Sequence, residues 1–202
     1  MNRIIFNNSI IKHDIMITKK DTSEEITLVI QNTKLMSGNI SAVDANIEII
    51  NVEAITNKQG ISLISKNIDT GKYHLNITGP TVLNTPSVSI HAVNCDLNIK
   101  ALMCSSAVSL TNVVGNLGYM TINGNLTVSK SILTFNKANL FTVTLDDSIF
   151  TANNTSVFNA KGITSNNSIL YLNKGVYTYT SATKSTIFIN NIQIQYYCVY
   201  NE

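Results

Sequence analysis

The chain has 202 residues, of which 44% are hydrophobic and 13% charged, and its formal net charge is +2 at pH 7. This length suits one domain with a core of its own, and the apolar fraction is too high for a disordered chain. Arg3 is the only arginine among 14 basic residues. Because nucleic-acid-binding proteins usually cluster arginine and lysine to grip phosphates and bases, we expect no nucleic-acid partner.

The N-terminal segment, residues 1–24, carries several charged side chains and breaks the alternation of apolar and polar residues seen later. It is predicted to be a cap or anchoring segment at one end of the domain. It lacks the pattern of a secretory signal, and no stretch of 18 apolar residues predicts a membrane span. Residues 25–202 are predicted to form the folded body, with a Tyr-rich C-terminal end.

From Glu25 onward, short runs of alternating apolar and polar residues follow one another. They are rich in Ile, Val, Thr, Phe and Tyr, so each predicts a strand with one buried face. Clear examples are 25–30, 46–50, 74–77, 96–99, 108–110, 119–122, 126–128, 141–143, 169–172 and 176–179. No stretch of ten or more residues has helical periodicity, so little helix is expected.

Two series of these strands recur with a spacing of roughly 20 residues. One begins near 87, 107, 125, 148, 168 and 186, and the other near 96, 119, 141, 156, 176 and 192. Two interleaved series with one shared period predict coils that stack their strands into separate sheets. Asparagines recur with a similar spacing, which predicts amide ladders at the turns. They are Asn116, Asn136, Asn154 and Asn173, and separately Asn139 and Asn159.

In its strand spacing and polar turns, the chain resembles parallel β-helix proteins. This broad group includes polysaccharide lyases, phage fibres and tailspikes, and bacterial adhesin passengers. The resemblance covers residues 25–200 and implies an all-β, single-domain parallel β-solenoid with coils of about 20 residues. An antiparallel sandwich or barrel is the competing fold. That fold usually has more Asn-Gly hairpin turns than the one at Asn123-Gly124.

The three cysteines, Cys95, Cys104 and Cys198, form no Cys-x-x-Cys pair. They predict neither a disulfide framework nor a metal site, and no nucleotide-binding motif is present. Asp146 and Asp147 are the most suggestive acidic residues, because β-helix hydrolases use clustered carboxylates as acid and base. The further Asp and His-Gly motifs of those hydrolases are missing, and a solvated turn is the simpler interpretation. We therefore expect no enzyme, no cofactor and no metal.

Two features predict binding surfaces. Residues 101–129 contain no charge, and interface cores are depleted in charged residues. Tyrosines concentrate near the C-terminus, where Tyr177 and Tyr179 share one strand face. If that face points outward, Tyr177, Tyr179, Tyr196 and Tyr197 offer a platform for a partner or a sugar ring. If it points inward, these side chains belong to the core.

The favoured hypothesis is a non-enzymatic structural or attachment protein, such as a fibre or decoration component of a phage or virus particle. Richness in Asn, Ile and Lys is typical of AT-rich coding, which many phages and large viruses have. The expected partners are copies of the chain, with a trimer favoured, other particle proteins, and surface carbohydrate. The expected location is a virion or cell surface, with the cytoplasm as the alternative. A carbohydrate-active hydrolase or lyase using Asp146 and Asp147, and a cytosolic solenoid scaffold, remain alternative functions.

Overall fold

The structure is a computed structural model, and it describes residues 2–19, 24–36, 39–54, 59–66, 73–85, 88–159, 161–178, 180–194 and 198–201. Within these ranges the chain forms β-strands and no helix. The first twelve strands are β1 (Asn2–Asn7), β2 (Ile10–Ile11), β3 (Ile15–Thr18), β4 (Ile26–Leu35), β5 (Ile40–Val43), β6 (Asn46–Ala54), β7 (Gln59–Ile64), β8 (His74–Ile77), β9 (Thr81–Leu83), β10 (Val88–Cys104), β11 (Ala107–Ser129) and β12 (Ile132–Asp146). The others are β13 (Ile149–Ala152), β14 (Thr155–Val157), β15 (Ile163–Asn166), β16 (Ile169–Leu172), β17 (Gly175–Tyr177), β18 (Thr180–Thr183), β19 (Thr186–Ile189), β20 (Ile192–Ile194) and β21 (Cys198–Asn201).

The strands stack in parallel into three columns, named here faces A, B and C, which the chain visits in that order in every coil. Face A contains β1, 26–31, 46–50, β8, 96–99, 114–117, 132–135, β13, β16 and β19. Face B contains β2, 34–35, 52–54, β9, 102–104, 119–122, 138–140, β14, β17 and β20. Face C contains β3, β5, β7, 88–93, 107–111, 125–129, 142–146, β15, β18 and β21.

The prediction of an all-β parallel solenoid is confirmed, and its coils lie about 19 residues apart. Coil length is not constant. Leu133 pairs with Phe150, 17 residues further on, whereas Ile47 pairs with Leu75, 28 residues further on. Because side chains alternate along a strand, every second residue of a strand points to the central core. Phe135 and Phe150 meet there, with ring centroids 5.2 Å apart.

The segment expected to be a cap, residues 1–24, supplies the strands β1, β2 and β3. They pair in parallel with β4 and β5, so this segment forms the first coil of the stack. Its outward side chains include the exposed Ile5 and Met16. The segment therefore lies at one end of the solenoid and continues its strand pattern.

A sharp corner, repeated from coil to coil, leads from face C to face A. Its first residue has a positive φ of about 50° in successive coils, as in Asn94, Asn112, Lys130, Asp147, Asn167 and Lys184. Asparagine and aspartate tolerate this left-handed conformation better than other non-glycine residues. In the later coils a buried serine follows, and Ser131, Ser148, Ser168 and Ser185 form a ladder. Each hydroxyl in the ladder accepts a hydrogen bond from a backbone N–H of the preceding coil.

An amide ladder links the corners between faces A and B. Asn136 donates to Asn116 at 3.1 Å, Asn153 donates to Asn136 at 3.4 Å, and Asn173 donates to Asn153 at 2.9 Å. The predicted ladder of Asn116, Asn136, Asn154 and Asn173 thus forms with Asn153 in place of Asn154. These amide–amide hydrogen bonds take the place of the hydrogen bonds that the asparagine side chains would otherwise make to water at each turn. The predicted pairing of Asn139 with Asn159 is wrong, because Asn139 pairs with Ser156.

Candidate functional site

The structure places Asp146 and Asp147 at the end of face C, where the chain turns toward face A. Asn166 of the next coil donates to the Asp146 carboxylate at 2.7 Å, and Asn167 donates to the Asp147 carboxylate. Asp147 has a φ of 48°, which is the conformation of the repeated corner. The two carboxylates therefore act as hydrogen-bond acceptors between coils, on a convex edge of the molecule.

Tyr177 lies on face B with its side chain 0% exposed, beside Val157 of the preceding coil. The sequence left open whether Tyr177 points outward or inward, and in the structure it points inward. Tyr177 therefore belongs to the core and offers no surface to a ligand. Burial raises the pKa of its hydroxyl far above the ordinary value. Tyr179, Tyr196 and Tyr197 lie outside the described residues, and their binding role stays a prediction.

Two cysteines are buried in the core. Burial raises the pKa of both the Cys95 and Cys104 thiols from 9.0 to about 12. A thiol needs to be a thiolate to act as a nucleophile or metal ligand, so neither is prepared for such chemistry. Within the described ranges, no three His, Cys, Asp or Glu side chains lie close enough together to hold a metal ion.

The charge-free residues 101–129 wind through more than one coil, so they do not form a single surface. On face B they place Met103 and Tyr119 outward, and the Tyr119 side chain is 64% exposed. These two residues line a groove of about 290 Å³ together with Pro80 and Asn139. The Lys137 ammonium lies 5.1 Å from the centre of the Tyr119 ring, a distance typical of a cation–π contact.

Face A divides into two halves of different character. Its outward positions in the early coils include charged side chains, which form the ion pair of Arg3 with Glu48 at 2.7 Å and the contact of His74 with Asp96 at 3.7 Å. In the last five coils the outward positions carry no charge and are largely apolar. We name these positions the apolar stripe: Val114, Asn116, Ile132, Thr134, Ile149, Thr151, Ile169, Tyr171, Thr186 and Phe188.

The surface of the apolar stripe is uneven, with projecting aromatic rings at one end and a hollow at the other. At its C-terminal end the rings of Tyr171 and Phe188 stack 4.8 Å apart at 7°, and Phe188 is 51% exposed. At its other end lies an open hollow of about 410 Å³. The hollow is lined by Asp96, Val114, Gly115, Asn116, Ile132, Thr134 and Asn136.

Reasoning from sequence missed the stripe, although a local signal marks it. Ser131-Ile132, Ser148-Ile149 and Ser168-Ile169 repeat the same pair, with the serine inside the corner and the isoleucine outside. A buried polar residue next to an exposed apolar one reverses the usual assignment of such positions. Alternation alone therefore assigns these isoleucines to the core.

The fold and these surfaces define a parallel β-solenoid in which serine and asparagine side chains at the corners link successive coils. Comparison of the chain with protein-family models, curated proteins and solved structures gives no match. In the part of the chain that the structure describes, no helix is long and apolar enough to cross a membrane.

Proposed function

We propose that this chain is a non-enzymatic structural or attachment protein that works as a homo-oligomer, as a fibre or decoration component of a phage or virus particle does. The observation that carries the proposal is the apolar stripe. Contiguous exposed apolar patches of a few hundred Å² are often interaction sites. A structural component at a virion or cell surface needs such a site to meet copies of itself or other particle proteins.

The location and hydrogen bonds of Asp146 and Asp147 favour this proposal over the alternative of a carbohydrate-active enzyme. A general acid and base must face a substrate in a groove. Asp146 and Asp147 instead lie on a corner and accept hydrogen bonds from Asn166 and Asn167. Their arrangement serves the stacking of coils.

Light scattering on a size-exclusion column tests self-association. The wild-type chain is expected to show a mass above that of the 22.1 kDa monomer, and Ile132→Lys is expected to lower it by placing a charge in the stripe. Thr144→Lys, an exposed position on face C, is the matched control and should leave the mass unchanged. A monomeric wild type at all accessible concentrations would contradict the proposal.

The groove on face B supports an attachment role toward surface carbohydrate. Sugar rings can stack on the exposed aromatic rings of Tyr and Trp, which are common at interfaces. Tyr119 presents such a ring beside amide and hydroxyl groups. Titration calorimetry with soluble oligosaccharides of neutral and uronic-acid type should detect binding that Tyr119→Ala removes. Binding that survives Tyr119→Ala would separate attachment from this groove.

A further inference from the structure

We propose that two copies of this chain pair through the apolar stripe in antiparallel orientation, related by a two-fold axis that runs along the strand direction through the coil of Ile149 and Thr151. This inference rests on the proposed function, since it names the partner and the geometry of the same surface. The partner is a second copy because the rows of the stripe repeat at the strand spacing of about 4.8 Å, and another copy presents rows with the same repeat.

The shapes of the two ends of the stripe fit each other in this arrangement. Rotation about this axis lays the coil of Thr186 and Phe188 over the coil of Val114 and Asn116 of the other copy. The Phe188 ring, 51% exposed, then enters the hollow of about 410 Å³ around Asn116. A cavity of about 150 Å³ already holds a benzene ring, so the hollow has room for this side chain. The symmetry repeats the contact at the other end, as an isologous interface requires.

The isoleucines of the stripe also meet one another in this arrangement. The same rotation keeps each outward column over its own kind, so Ile132 meets Ile169 and Ile149 meets its own copy. A parallel two-fold pair would reverse the strand direction. It would put Ile132 over Thr134 and Ile149 over Thr151, and thus lay the isoleucine column on the column of Asn116, Thr134, Thr151, Tyr171 and Phe188.

The distribution of charge on face A also favours the antiparallel pair. A parallel face-to-face pair would also bring together the charged halves of both copies, which include Glu48 and Asp96. Desolvating charges is costly unless each is paired across the interface. In the antiparallel pair the coils of Arg3 and Glu48 extend beyond the overlap in opposite directions and stay in water. The charge-free coils form the overlap, and Asp96, which lines the hollow that receives Phe188, is the charge of the early coils that lies beside it.

The size of the stripe predicts how firmly the copies hold. Five coils span about 24 Å and four residues of strand about 13 Å, a projected area of roughly 300 Å². Stable interfaces usually bury about 800 Å² on each partner. The pair is therefore expected to be reversible and to dissociate on dilution. A high local concentration of the chain in an assembly would favour pairing.

Disulfide cross-linking tests the geometry in a Cys198→Ala background, with Cys95 and Cys104 left in the core. Thr186→Cys chains mixed with tagged Val114→Cys chains should form a mixed cross-linked dimer. Neither variant should cross-link efficiently alone, whereas Ile149→Cys should cross-link to itself. Ser109→Cys on face C serves as the control and should not cross-link. Circular dichroism checks that each variant keeps its strands.

The outcomes separate this inference from the proposed function. The mixed Thr186–Val114 cross-link together with Ile149 self-cross-linking supports the antiparallel pair. A chain that associates as a trimer, or associates without these cross-links, overturns the antiparallel pair and leaves self-association standing. A chain that stays monomeric overturns both.

Discussion

Tyr177 carries a buried hydroxyl group with no hydrogen-bond partner among the described residues. Leaving such a group unsatisfied costs about 1–3 kcal/mol. Tyr177→Phe removes the hydroxyl and keeps the ring, so it is expected to raise the free energy of unfolding by about 1 kcal/mol, measured by urea denaturation. Tyr171→Phe, at a partly exposed ring, is the control and should change little. A loss of stability in Tyr177→Phe would show that the hydroxyl has a partner.

The buried thiols give a second prediction at the residue scale. Cys95 and Cys104 keep their protons in the folded state up to a pKa of about 12, whereas the unfolded chain loses them near 9. Above pH 9 the unfolded state binds fewer protons than the folded state, so these thiols make stability fall as pH rises from 9 toward 12. In Cys198→Ala protein, a thiol reagent at pH 8 should label neither cysteine until urea is added. Rapid labelling of the native chain would contradict the burial.

The serine ladder is the element whose removal most directly tests the corner between faces C and A. The Ser148 hydroxyl accepts from the Ser131 N–H at 3.1 Å and donates to the Asp146 carbonyl at 2.7 Å. Ser148→Ala leaves the buried Ser131 N–H unsatisfied, which should lower the free energy of unfolding by about 1–3 kcal/mol. Ser156→Ala on face B is the control, with an expected change within about 0.5 kcal/mol. Equal effects for the two would contradict the ladder.

Asp147 tests the same corner through its backbone. Asp147→Asn keeps both the preference for a positive φ and an oxygen that can accept from Asn167, so stability should change by less than about 0.5 kcal/mol. Asp147→Val introduces a β-branched residue in a left-handed conformation and should cost about 1–2 kcal/mol. Thermal unfolding of the two variants compares them directly. A large loss in Asp147→Asn alone would indicate that the charge itself matters.

The alternation of residues in single strands could be read from the sequence, but their assignment to faces could not. The first series of strands near 87, 107 and 125 lies on face C, while its members near 148, 168 and 186 lie on face A. The alternation of apolar and polar residues tells inward from outward side chains, but it is the same on all three faces and so does not tell one face from another. Coil lengths that vary between 17 and 29 residues then blur the longer period.

At the scale of the whole molecule, the solenoid was predictable because every coil repeats the same physical demand for alternating strands and polar corners. The site was not. Asp146, Asp147 and Tyr177 are residue types that often form sites, yet here they hold coils together or fill the core. The stripe consists of isoleucines and aromatics that a sequence pattern assigns to the interior. Only the register of successive coils brings Ile132, Ile169 and Phe188 onto one outer surface.

The central claim is that copies of this chain meet at the apolar stripe, and methyl NMR of isoleucine-labelled protein over a range of concentrations tests it most directly. The δ1 methyl resonances of Ile132, Ile149 and Ile169 should shift with concentration, while those of the core residue Ile47 and the exposed Ile10 on face B should not. Concentration-dependent shifts confined to residues outside the stripe, or none up to millimolar protein, would contradict the account.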